Sequence, residues 1–182
     1  MREGLPLELS RDCDALQIPA GNTVVLPAAT VVYLTQARGG SFTVRALGAL
    51  FQIAGQDADA LGLTPEAATP VPPPQPGQQA DEKTVWDALR TCFDPEIPVN
   101  IVDLGLVYDL ELEHLPEGGS KAFVRMTLTA PGCGMGPAIA RDAQDKILTV
   151  PGMVDAAVEV VWDPPWHQSM ISPEGRRVLG LD

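Results

Sequence analysis

Basic residues are scarce in this sequence: 12 lysines and arginines stand against 24 aspartates and glutamates, a formal net charge of −12. The imbalance is concentrated in residues 81–182, which hold eight basic and seventeen acidic residues. A nucleic-acid partner needs a basic footprint, so this balance argues against one. It also argues against an anionic membrane surface. Cysteine is sparse too. Cys13, Cys92 and Cys133 are an odd number at wide spacing with no C-x-x-C pair, which is no disulfide framework and fits a reducing cytoplasm. No apolar run reaches membrane-spanning length, and the first residues lack the basic-then-apolar order of a signal peptide. A cytoplasmic location is therefore expected.

The chain divides by composition. Residues 1–63 read as a small β-rich module. Thr23–Leu26, Thr30–Gln36, Ser41–Arg45 and Leu50–Ile53 carry the Val, Thr, Leu and Tyr content of strands, which suggests a small barrel or meander. Residues 1–22 read as loop and turn. Acidic neighbours should raise the pKa of Cys13, whose expected role is structural. Residues 64–80 hold six prolines and read as an extended, semi-rigid linker.

Residues 81–182 alternate helix and strand. Asp81 and Glu82 suit a helix start, and Val85, Leu89, Cys92 and Phe93 repeat at helical spacing. That helix must end before Asp94-Pro95. In the loop behind it, Asp94, Glu96 and Asp103 either cap nearby amides or present a polar site. Tyr108, Leu110 and Leu112 alternate with Asp109, Glu111 and Glu113 as a strand. A hairpin then leads to Ala122–Thr129, with Val124, Met126 and Leu128 inward and Thr127 and Thr129 opposite. Ile139, Ala143 and Ile147 form an amphipathic helix stripe. Val154, Ala156, Val158, Val160 and Trp162 predict a third strand. Ser172-Pro173 starts a last helix. This order predicts an α+β fold, a two-layer sandwich on a small sheet.

The chemistry centres on Thr127-Leu128-Thr129-Ala130-Pro131-Gly132-Cys133-Gly134, a strand running into a glycine-rich loop with a helix directly behind. Gly132 and Gly134 permit positive φ and keep bulk from the thiol. Unpaired amides at the helix start favour a thiolate, so a reactive Cys133 is expected. The other reading of a lone cysteine is a small buried hydrophobe. A nucleophilic Cys133 with His167 as base is a weaker signal in a chain with two histidines.

Four segments in this order carry a resemblance: Asp94-Pro95-Glu96-Ile97-Pro98, Asp103 to Tyr108, Met126 to Cys133, and Trp162-Asp163-Pro164-Pro165-Trp166. Residues 81–182 resemble the metal–sulfur cluster assembly factor family, long called domain of unknown function fifty-nine. Ile18–Gly21, the hairpin from Thr35 to Val44 and Gly55–Gly62 are similar to the N-terminal extension of one branch of that family. The resemblance implies a fold like the NifU C-terminal domain and a role in maturing iron–sulfur proteins, as a carrier and not an enzyme. It implies a labile iron–sulfur cluster or iron held through Cys133, with scaffold proteins and client apoproteins as partners. A cluster normally takes several thiolates; the missing ligands would come from a second chain in a homodimer, from Asp94, Glu96 or Asp103, or from the client. The alternative is a non-metal adaptor whose docking surface combines the 94–103 loop, Cys133, Trp166 and His167.

Overall fold

The computed structural model describes residues 6–38, 40–64, 77–132 and 134–181. The chain splits into two compact units, Met1–Pro70 and Val71–Asp182. Most of the stretch read as a linker, 65–76, lies outside the described residues. Its end does not behave as a spacer. The Gln78 carbonyl accepts from Gly119 N at 2.9 Å, and Ala80 N donates to Ser120 Oγ at 2.9 Å inside the second unit.

In the first unit, strands β1 (Pro6–Glu8), β2 (Cys13–Ile18), β3 (Thr23–Leu26), β4 (Val31–Arg38), β5 (Ser41–Ala46) and β6 (Ala49–Ala54) make one sheet. Its order is β1-β4-β5-β6-β2-β3, with every neighbouring pair antiparallel. Strand β2 falls where a loop was expected. Cys13, Ala15 and Ile18 are buried on it while Asp14 is exposed, but two small residues beside acids carry too faint an alternation to read. Leu26, Val32, Val44, Phe51 and Ile53 fill the core with Cys13. Burial, more than the neighbouring Asp57 and Asp14, pushes the Cys13 thiol up. A 3₁₀ segment, Gly55–Leu61, follows β6. Arg11 holds it through Asp57 and Asp59, each at 2.8 Å.

The second unit opens with α1 (Glu82–Leu89), capped by Asp81, whose side chain accepts from Thr84 N. Strands β7 (Val107–His114), β8 (Ser120–Met126) and β9 (Met153–Val160) form a sheet ordered β7-β8-β9. The β7/β8 hairpin is antiparallel and β8/β9 parallel. The parallel pair requires a crossover, and α2 (Gly136–Leu148) supplies it. Helix α2 packs on β9 and on α1, burying Ile139, Ala143 and Ile147. Ser172 caps α3 (Pro173–Leu179) by accepting from Gly175 N.

Three expectations shift. Helix α1 stops at Leu89, so Cys92 and Phe93 lie beyond it. Cys92 is still fully buried, and burial pushes its thiol up to about 12. The strand expected to reach Thr129 ends at Met126. In β9 the register slips between Ser120 and Lys121, which face Met153 and Asp155. The extra residue, Val154, is thereby exposed, as a bulge does to strict alternation. Trp162 lies past the strand end and is also exposed. No described helix is long and apolar enough to cross a membrane.

Candidate functional site

The loop after α1 puts two of its acids to structural use. Asp94 is buried, and its Oδ1 accepts from Glu96 N at 2.8 Å and Ile97 N at 3.0 Å. Burial pushes its carboxyl above the ordinary range, and the two amide bonds offset part of that rise. Asp103 Oδ2 accepts from Asn100 Nδ2 at 2.6 Å. Its Oδ1 accepts from Ser172 Oγ at 2.8 Å, and its backbone oxygen from Ser172 N at 2.8 Å. Of the three carboxylates, Glu96 alone is exposed. Among the described residues, no group of three or more His, Cys, Asp or Glu is arranged to hold a metal ion.

The segment 162–172 is stitched onto this loop. Trp166, half-buried, donates from Nε1 to the Leu104 carbonyl at 2.8 Å. Tyr108 donates its hydroxyl to the Pro164 carbonyl at 2.7 Å. Gly105, at φ 72°, lies so close to the Met170 carbonyl that any Cβ there would collide with it. The Asp163–Pro164 bond is cis. His167 is exposed and precedes a short 3₁₀ turn, Gln168–Met170.

The end of β8 enters the same neighbourhood. Thr127 N donates to the Leu106 carbonyl at 2.7 Å. The residue is 1% exposed, and its Oγ1 is buried with no hydrogen-bond partner among the described residues. A buried hydroxyl is ordinarily paired; this one is the exception among the described residues. Leu128 is buried and Thr129 half-buried. Gly132 takes φ 81° and, like Gly134, is exposed. Cys133 lies outside the described residues. Met135 takes the N-cap position of α2 with no side-chain bond, and Pro137 sits in the first turn.

Leu104 to Trp166, Tyr108 to Pro164 and Leu106 to Thr127 are thus three hydrogen bonds joining separate motif segments, and Asp103 to Ser172 adds a fourth just beyond the last of them. Sequence reading missed Asn100 and Ser172 as partners of Asp103. Ser172 had been read from the cap signal alone, and no local pattern links it to a residue 69 positions away. The Fe-S protein maturation auxiliary factor of Porphyromonas gingivalis is 38% identical over 102 residues, covering 55% of this chain and 91% of that protein. Maturation auxiliary factor YitW of Bacillus subtilis is 35% identical, covering 57% of this chain and 98% of its own. Maturation auxiliary factor SufT of Staphylococcus aureus is 40% identical, covering 49% and 97%. The family model described as iron–sulfur cluster assembly protein matches residues 82–160. The chain belongs to the iron–sulfur cluster assembly protein family.

The family match lies wholly within the second unit. It takes in Asp94, Glu96, Asp103, Thr127 and Cys133. Trp166 and Ser172, which fasten the loop from outside, fall beyond the matched stretch.

Proposed function

We propose that this iron–sulfur cluster assembly protein is an auxiliary maturation factor that carries clusters or iron to client apoproteins, with Cys133 as the protein's thiolate. The cluster is cargo on this reading. One thiolate makes a half-built site, and incomplete ligation favours release to a client that completes it. Trp166 and Ser172 buttress the acidic loop after α1. Glu96 stays available as an oxygen ligand, because Asp94 and Asp103 already accept internal hydrogen bonds. The working unit is a two-layer sandwich in the cytoplasm, acting on scaffold and client proteins.

The observation that carries this reading is the hydroxyl of Thr127, buried at the seam of the motif segments with no partner among the described residues. A buried hydroxyl without a partner costs about 1–3 kcal/mol. A donor held at that cost suits a group that is paired only while cargo or client is present. The names of the relatives support the same role. Anaerobic reconstitution of wild type and Cys133→Ala, followed by iron and acid-labile sulfide analysis, tests it. Metal and sulfide are expected in the wild type and absent from the variant. Equal amounts in both overturn the role of Cys133. Client binding that survives Cys133→Ala with no metal in either protein makes the chain an adaptor instead.

A further inference from the structure

The sheet of the second unit buries one face and leaves the other open. Along β8, Ser120, Ala122, Val124 and Met126 are buried, while Lys121, Phe123 and Arg125 are exposed. The register builds the open face into rows. Asp109, Arg125 and Glu159 share one row, and Glu111, Phe123 and Ala157 the next. Glu113, Lys121 and Asp155 make the third. Every member of the three rows is exposed.

Five carboxylates and two cations thus occupy this face, acids on both outer strands and cations in the middle one. Among the described residues no ion pair includes any of the seven. Phe123 sits at the centre, 37% exposed, in a shallow depression shared with Glu111, Asp155 and Ala157. An aromatic ring beside an alanine offers apolar contact, and the surplus carboxylates call for positive charge around it.

A second copy stacked with its strands aligned to these does not meet that demand. A two-fold axis along β8 would lay β7 over β9, acids on acids, with Arg125 and Lys121 each over its own copy. An axis across the strands would lay Asp109 over Glu113 and Arg125 over Lys121. Both arrangements oppose like charges. A single cationic helix fits better: outer strands two spacings apart stand about 10 Å from each other, close to the 10–12 Å width of a helix.

We propose that this open face docks a basic amphipathic helix of a partner protein, its apolar stripe on Phe123 and Ala157 and its cations against the outer carboxylates. The test uses the ¹⁵N-labelled full chain and a helix-forming peptide of about five turns, leucine at helical period and lysine elsewhere. Amide shifts are expected to centre on Lys121, Phe123 and Ala157. Phe123→Lys and, independently, Glu111→Lys are expected to weaken binding about tenfold or more without lowering the melting temperature. Cys133→Ala should bind the peptide as wild type does, which separates this proposal from the cluster-carrying one. Three results would overturn it: shifts scattered away from this face, equal binding of a peptide with glutamate in place of lysine, or unchanged affinity in both variants. A dimer in sedimentation that Phe123→Lys dissolves would overturn it too, by giving the face to a second copy.

Discussion

Replacing Thr127 with valine swaps a hydroxyl for a methyl at nearly constant volume. Thr127 is 1% exposed and its Oγ1 has no partner among the described residues, so the change removes no described hydrogen bond. Removing the unpaired hydroxyl should recover about 1–3 kcal/mol, and a buried methyl adds somewhat less than 1 kcal/mol. A net stabilisation of at least about 1 kcal/mol is therefore expected. For a unit of this size that raises the melting temperature by about 4–8 °C. Calorimetry on the full chain, checked by urea unfolding with an unchanged m-value, reads it directly. Reconstitution should move the opposite way, with less iron and sulfide retained than in the wild type. Opposite signs in the two assays mark a residue kept for its ligand and not for its fold. A Thr127→Val protein destabilised by 1 kcal/mol or more would show that the hydroxyl is already paired in the free chain, and the reasoning would fail.

Cys13 and Cys92 are both buried with raised thiol pKa values; iodoacetamide at pH 8 should leave both unmodified until denaturant is added, as mass spectrometry of digests will show. Ser172→Ala removes a bond to Asp103 Oδ1 and the cap of α3, and should cost about 1–2 kcal/mol in urea unfolding. Lys146 donates to Thr91 O at 2.8 Å and to Asp142 at 2.9 Å, tying α2 to the end of α1, so Lys146→Met should lower stability by about 1–2 kcal/mol. Asp94 has its folded-state pKa raised by burial. Its protonated form therefore favours folding, an advantage fully present below the ordinary carboxylate value and lost as pH rises through the raised one. From about pH 4 upward, wild-type stability should fall relative to Asp94→Asn; parallel pH profiles of the two would refute the assignment.

The parts of the fold that the sequence states clearly are those set by local periodicity. Ile139, Ala143 and Ile147 repeat at helical spacing and are buried together on α2. Tyr108, Leu110 and Leu112 alternate with acids and lie opposite them on β7. Val154 was misread because a bulge adds one residue and turns the pattern over, and a bulge depends on the partner strand, which a linear pattern does not contain. Cys92 keeps the spacing of a helical stripe although the helix has ended, because the turn after Leu89 continues the same inward direction; Cys92 N still donates to Leu89 O. The site behaves differently. Asp94, Asp103 and Thr127 could be singled out as unusual residues, but their duties were settled by partners far along the chain or by the lack of one. Asp103 is claimed by Ser172, and Trp166 by Leu104. Thr127 is claimed by no described residue. Sequence can mark a polar residue as out of place, and only packing shows whether its hydrogen bonds are already spent. In this family member the spent carboxylates hold the frame, and the proposed carrier role assigns the ligand to the Thr127 hydroxyl and the exposed Glu96.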